Sequence, residues 1–264
     1  MHVAIIGCGQ LARMMALAGW NLGIKFSFLA EEDESTRCVE GLGSITRRSA
    51  DATAREIFMA LGAPDVVTVE RENVDLALLR GLAPLCAVHP GADAVAVCGN
   101  RALEKGKLDA LALPTAPYRV AHTALQVAAA ADALGLPVVV KSLTEGYDGK
   151  AQWRLHSHAD VQDFCRNQPT GNWLVEAWVD FRCEISFIAA RSASGETVIY
   201  PPVENVHRDG ILLTSIAPAP DLPEALRKQG EHCIGTLLQS LDYVGVLAME
   251  CFVTDHGLLI NELA

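Results

Sequence analysis

The sequence has no apolar run long enough to span a bilayer and no basic-then-apolar leader at its start. Membrane insertion and secretion therefore drop out of the reading. Its eight cysteines (Cys8, Cys38, Cys86, Cys98, Cys165, Cys183, Cys233 and Cys251) form neither a CxxC pair nor a Cys/His cluster. Such scatter points to reduced, mostly buried thiols in a cytoplasmic protein, and away from zinc or disulfides. Basic residues are outnumbered, 21 against 32 acidic, for a net charge of −11. With no basic stripe and no interleaved aromatics, nucleic acid is excluded as a partner. A nucleotide ligand is not, because a few local lysines and arginines suffice for phosphates. Low-complexity tracts, internal repeats and Ser-His-Asp or Cys-His constellations are also lacking. What is present is 264 residues with 50% hydrophobic content. That is enough for one large domain or about two to three small ones.

The first ninety residues alternate strand and helix. A strand over His2–Ile6 enters Gly7-Cys8-Gly9-Gln10-Leu11-Ala12 and a helix to about Leu22. Strands follow at Lys25–Leu29, Asp65–Val69 and Cys86–Val88, with helices near Ala52–Leu61 and Leu76–Leu79. This order predicts a Rossmann-like α/β unit with a parallel sheet over residues 1–90. From Gly91 the pattern changes. Helices at Ala92–Cys98 and Asn100–Leu111 lead to a Leu113-Pro-Thr-Ala-Pro117 breaker. A helix at Leu125–Leu134, a strand at Val138–Lys141, a mostly strand region to Ala217 and a helix near Pro223–Leu241 follow. Residues 91–264 are expected to form a largely antiparallel α+β domain.

The chain closes on two apolar runs flanking Asp255-His256-Gly257. This spacing predicts a hairpin with a three-residue loop and glycine at a left-handed position. Pairing Thr254 with Leu258 places Glu250 opposite Glu262, on one face with Phe252 and Ile260. Like charges facing each other at about 5 Å are unfavourable unless a cation lies between them. A hard ion such as Mg²⁺ takes one or two carboxylates and leaves its other positions to phosphate. The alternative is a solvated hairpin with two charges on its wet face.

Other segments carry weaker signals. Gly7-x-Gly9-x-x-Ala12, with Glu31 at the end of the next strand, fits a dinucleotide fingerprint and hence an NAD(P)-dependent oxidoreductase. Its helix N-terminus also suits any phosphate, and a plain glycine packing turn explains the same residues. Lys141 ends a strand beside the glycine loop of Thr144 to Gln152. Such a loop wraps a polyphosphate while the ammonium supplies charge; an ordinary hairpin with a snorkelling lysine is the alternative. The strand end at Glu176-Ala177-Trp178-Val179, with Glu184 further on, suits an adenine slot whose carboxylate accepts ribose hydroxyls, or a plain surface. Arg101 fits a phosphate contact or half of a helical ion pair. His207 and Asp209 form a loop cluster.

Taken together, several stretches resemble the 5-(carboxyamino)imidazole ribonucleotide synthetase family of the ATP-grasp superfamily. They are Gly7–Met14, Leu113–Tyr118, Glu145–Trp153, His207–Ile211, Tyr243–Phe252 and Leu259–Leu263. The resemblance runs the whole length. It implies a pre-ATP-grasp domain over 1–90 and an ATP-grasp domain over 91–264, with a lid at about 114–178. It implies ATP contacts from Arg101, Lys141, Glu145, Gly146, Tyr147, Asp148, Gly149, Lys150, Ala151, Gln152, Glu176, Ala177, Trp178, Val179, Glu184, His207, Asn261 and Glu262. Glu250 and Glu262 correspond to its magnesium carboxylates. Gly9, Gln10, Leu11 and Glu72 match positions facing the ribonucleotide. Tyr147, Asp148, Lys150 and His207 correspond to residues where 5-aminoimidazole ribonucleotide meets bicarbonate. The implied chemistry is ATP-dependent carboxylation of that ribonucleotide through carboxyphosphate, by a cytoplasmic homodimer of purine synthesis.

Two departures qualify the match. The family pattern continues past Asn-Glu-Leu-Ala into a further C-terminal domain, whereas this sequence stops at Ala264. A fragment or short homologue is expected, with an ATP site that survives and catalysis that suffers; a non-catalytic ATP-binding module is the companion reading. Glycine is also usual where Glu145 and Ala151 stand. A left-handed Ala151 would cost about 1–2 kcal/mol.

Overall fold

The computed structural model of the chain describes residues 1–144, 151–168, 170–208 and 210–264. It divides into two units. One holds Met1–Ala96 with Leu241–Gly245, and the other Val97–Ser240 with Val246–Ala264.

In the first unit, β1 (His2–Ile6), α1 (Gln10–Trp20), β2 (Lys25–Ala30), β3 (Ser44–Arg47), α2 (Ala54–Ala60), β4 (Val66–Val69), α3 (Leu76–Leu82) and β5 (Ala87–Val88) alternate. The five strands form a parallel sheet in the order β3-β2-β1-β4-β5. Mostly apolar runs such as Phe26 to Ala30 are buried throughout, as expected for a sheet covered on both faces. β3 is absent from the sequence reading. Its Ser-Ile-Thr-Arg is exposed at the edge and lacks the apolar run that marks a central strand.

The second unit starts within α4 (Ala92–Cys98) and continues with α5 (Arg101–Ala110). Asn100 caps α5, its side chain accepting from the backbone N–H groups of Ala102 and Leu103, which fixes the first turn that carries Arg101. Next come β6 (Tyr118–Thr123), α6 (Ala124–Leu134), β7 (Val138–Ser142), β8 (Gln152–Leu155), α7 (His158–Asn167) and β9 (Thr170–Ala177). These strands form an antiparallel sheet ordered β6-β9-β7-β8. One face packs on α6 and α7 through Val138, Val140, Leu155, Phe164, Trp173 and Val175. Side chains alternate along a strand, so Val139, Lys141, Gln152, Arg154 and Glu176 fall on the opposite face.

The remaining elements are β10 (Cys183–Arg191), β11 (Thr197–Ile199), β12 (Val203–Arg208), β13 (Ile211–Ile216), α8 (Glu224–Ser240), β14 (Gly245–Thr254) and β15 (Gly257–Leu263). They build the sheet β13-β12-β10-β14-β15, with β11 added on β10. The fold is thus a parallel α/β unit followed by antiparallel sheets.

The final hairpin corrects the predicted register. Thr254 pairs with Gly257, so the loop has two residues, and Cys251 pairs with Ile260. Ile260 therefore shares the buried face of Cys251, not the face of Glu250. A bulge then shifts the register between Glu250 and Cys251, and Glu250 pairs with Glu262. The extra residue is Asn261. A bulge re-aims side chains, and here Asn261 joins its neighbour Glu262 beside Glu250.

Ala151 carries a φ of 61°, the left-handed region that penalises a Cβ. Ala151→Gly should relieve that strain. After the entropy cost of glycine in the unfolded chain, the net gain is about 0.5–1 kcal/mol. A melting curve should move up by roughly 2 °C.

Candidate functional site

The two inner faces of the second unit's sheets border a cavity of about 930 Å³. Its wall includes Arg101, Lys141, Ala151, Gln152, Glu176, Ala177, Trp178, Val179, Glu184, His207, Glu250, Asn261 and Glu262. Scattered over 162 positions of sequence, these residues meet through strand alternation and the Asn261 bulge. Gly9, Gln10, Leu11 and Glu72 belong to the first unit and do not line this cavity. Glu145, Gly146, Tyr147, Asp148, Gly149 and Lys150, like Asp209, lie outside the described residues.

A buried ionic chain forms the floor. Glu176 is 4% exposed. Its Oε2 lies 2.7 Å from Lys141 Nζ and its Oε1 2.9 Å from Lys105 Nζ. Burial alone would raise its carboxyl pKa, but Lys141 and Lys105 outweigh that and bring it down to about 2. Both its oxygens are taken by lysines, so its side chain orients Lys141. Lys141 Nζ also donates to Asn261 Oδ1 at 3.0 Å. Burial works against its charge, yet Glu176 and Glu262 hold its pKa above the ordinary lysine value. The ammonium stays charged and faces the cavity.

The acidic pair sits at the other end. Asn261 Nδ2 donates to Glu250 Oε1 at 3.0 Å, and Arg101 lies 3.8 Å from Glu262 Oε2. Burial, then the Glu262 charge, push the Glu250 carboxyl above its usual range. Two carboxylates held this way suit a hard divalent cation. Among the described residues no three or more His, Cys, Asp or Glu side chains converge as metal ligands. The pair would then leave most of a magnesium shell to phosphates and water. Glu184 and His207, on β10 and β12, form a very close pair through Oε2 and Nδ1. Phe181 and Phe252 stack with ring centroids 4.6 Å apart and give the same wall an apolar patch.

Sequence reasoning missed Lys105, Phe181, Arg154 and Glu104. Glu104 is 2% exposed, and only its Oε2 has a partner, the Leu263 N–H at 3.0 Å. Burial pushes its carboxyl up to about 7. On α5 alone Glu104 and Lys105 read as ordinary charged helix residues; β15 covers Glu104, and Thr115, Glu176 and β15 together enclose the Lys105 ammonium.

Three amides of the glycine turn before α1 already have carboxylate partners within the protein. Glu70 accepts from Gly9 N at 2.7 Å and from Ala12 N at 2.9 Å, and Glu34 accepts from Cys8 N at 3.0 Å. A helix N-terminus favours negative charge, and here the protein supplies its own. These amides are thereby withdrawn from a dinucleotide pyrophosphate, and Glu31 faces Arg48 at 3.3 Å. The oxidoreductase reading loses its anchor. Gly7 has a φ of 113°, and a Cβ there would fall 2.4 Å from Glu70 Oε1. Gly7→Ala should therefore break the Glu70 bonds and strain the backbone. We expect a loss of at least about 2 kcal/mol in denaturant unfolding.

Comparison with known proteins finds relatives over the whole chain. Residues 1–99 match the ribonucleotide synthetase preATP-grasp domain and residues 106–264 the ATP-grasp domain. The chain is 39% identical over 265 residues to the N5-carboxyaminoimidazole ribonucleotide synthase of Pseudomonas aeruginosa, covering 100% of this chain and 72% of that protein. A solved ADP complex of an N5-carboxyaminoimidazole ribonucleotide synthetase superposes with a TM-score of 0.91 at 36% identity, covering 100% of this chain and 69% of that one. The ATP complex of the Aspergillus clavatus carboxyaminoimidazole ribonucleotide synthase gives 0.89 at 26% identity, with coverage of 100% and 69%.

Proposed function

The chain belongs to the N5-carboxyaminoimidazole ribonucleotide synthase family of ATP-grasp ligases, and from that premise we propose the reaction that its site performs. It uses ATP to carboxylate 5-aminoimidazole ribonucleotide in purine synthesis. Bicarbonate is the carbon source. A bicarbonate oxygen attacks the γ-phosphorus, the bond to ADP breaks, and carboxyphosphate forms. The exocyclic amine of the ribonucleotide then attacks the carboxyl carbon, phosphate leaves, and the amine loses a proton.

The convergence of Lys141 with Glu250, Asn261 and Glu262 on one cavity wall carries this reading. Lys141 and Arg101 supply positive charge to the triphosphate. Glu250 and Glu262 would hold magnesium, which when bound offsets charge on the transferring phosphoryl group. The strand end at Ala177 to Val179, with Phe181 and Phe252, receives the base, while Glu184 accepts the ribose hydroxyls from its place beside His207. Tyr147, Asp148, Lys150 and His207 are assigned to the carboxyl-transfer end by the family resemblance, and of these His207 lines the cavity. The family resemblance assigns to residues 145–152 the task of keeping water from the labile intermediate. Gly9, Gln10, Leu11 and Glu72 are assigned to the ribonucleotide on the same resemblance.

The sheet β6-β9-β7-β8 with α6 and α7 serves as the lid, within 114–178. We place the pre-ATP-grasp domain at 1–90 and the ATP-grasp domain at 91–264. Among the described residues no helix is long and apolar enough to cross a membrane. A cytoplasmic homodimer is the proposed setting, which light scattering tests for its stoichiometry. The function itself is tested by phosphate release. Release that requires ATP, Mg²⁺, bicarbonate and 5-aminoimidazole ribonucleotide together supports it. ATP binding without such release would leave a nucleotide-binding module.

A further inference from the structure

Lys105 has so far entered only as the second partner of Glu176. It projects from α5, its side chain is 1% exposed, and it does not line the cavity. Burying an ammonium is costly unless its donors are used, and here they are. Nζ donates to Thr115 Oγ1 at 2.8 Å, to the Asn261 carbonyl at 2.9 Å and to the Ile260 carbonyl at 3.3 Å, and it lies 2.9 Å from Glu176 Oε1. Two of these partners are the carbonyls of the bulge that re-aims Asn261 and Glu262. A third is the carboxylate that orients Lys141.

The charge arrangement has a consequence for Lys141. A single buried carboxylate facing a single lysine forms a neutral pair with little field left for a ligand. Glu176, however, is shared. With Lys105 on Oε1, the Lys105–Glu176 pair is neutral by itself, and Lys141 keeps a net positive charge towards the cavity.

We propose that Lys105 is a positioning residue which neutralises Glu176, so that Glu176 can hold Lys141 in place without cancelling its charge towards the nucleotide phosphates. The proposal rests on the ATP site described above. Lys105 also ties the bulge, so a purely structural role and a charge-balancing role must be told apart.

Calorimetric titration with ATP and Mg²⁺ separates them. Lys105→Met should weaken ATP binding roughly 10- to 100-fold, since Glu176 would then face Lys141 alone. Adding Glu176→Gln keeps an acceptor for Lys141, removes the excess negative charge and should recover binding to within about threefold of wild type. The bulge tie is missing in both variants, so recovery cannot come from it. Lys105→Met that fails to fold, beside a double variant that folds and binds, also supports charge balance. Wild-type affinity in Lys105→Met overturns the proposal. So does a double variant that stays tenfold weak or does not fold. If wild type itself binds no ATP, the site assignment fails instead, and the two failures are distinguishable.

Discussion

Glu250→Gln should lower ATP turnover by about 100- to 1,000-fold, the range seen when one preorganised electrostatic partner of a transition state is removed. The same substitution should not lower stability in metal-free buffer. Glu250 is half-buried, and burial and the neighbouring Glu262 already push its carboxyl pKa upwards. Glutamine keeps the shape, still accepts from Asn261 Nδ2, and removes repulsion across the ladder. Activity and stability should thus move in opposite directions, as expected for a site strained by function. Glu262→Gln should lose turnover likewise, but without a gain in stability, because it also gives up the Arg101 contact at 3.8 Å. The double variant should lose far less than the product of the single losses, because both act on one ion. Phosphate release and thermal melts on the four proteins measure this. A variant that melts lower and turns over normally would point to a structural role for the pair.

Glu176→Ala should be the most damaging change to the fold. It leaves Lys105 buried without the carboxylate it contacts and sets it against Lys141. Removing one partner of a buried ion pair costs about 3–5 kcal/mol, measurable by denaturant unfolding. The penalty should depend on pH in a defined direction. Burial disfavours the ionised carboxyl, but Lys141 and Lys105 prevail and lower its pKa from the ordinary 4.5 to about 2. A carboxyl held below its unfolded value stabilises fully above pH 4.5 and loses that contribution as pH falls towards 2. The gap between wild type and variant should therefore be widest near neutrality and narrow in acid. A gap independent of pH would mean that packing, not charge, is lost.

Much of the architecture is legible in the residue order. Apolar strands alternating with helices announce the parallel sheet, and a run of strands with few helices between them announces the antiparallel ones. The alternation of side chains along any strand puts Lys141 and Val139 on one face and Val138 and Val140 on the other. The Glu250–Glu262 pairing is legible for an instructive reason. The predicted three-residue loop and the observed two-residue loop differ by one register step. The Asn261 bulge returns that step, so both routes place the acids opposite each other. Ile260, which lies between loop and bulge, is where the reading goes wrong. Bulges leave no simple sequence mark, because they answer to what the side chains must reach.

Other features depend on partners distant in sequence. β6 pairs with β9, and its Tyr-Arg-Val-Ala-His-Thr has too few apolar residues to announce itself. Lys105 and Glu104 look like ordinary charged helix residues until β15, Thr115 and Glu176 cover them. The Gly7 turn looks like a phosphate cradle because nothing local shows that Glu70, 61 positions after Gly9, fills it. Local sequence reports what a backbone can bind; it does not report which group in the same protein already occupies it.

The central claim is that Glu250 and Glu262 hold a divalent ion against a nucleotide that Lys141 grips. A crystal structure with Mg²⁺ and a non-hydrolysable ATP analogue tests it most directly. The account predicts an ion at about 2.0–2.1 Å from oxygens of both glutamates, bridged to phosphates that Lys141 Nζ contacts. Phosphates seated away from Lys141, or an ion that ignores either carboxylate, would contradict it.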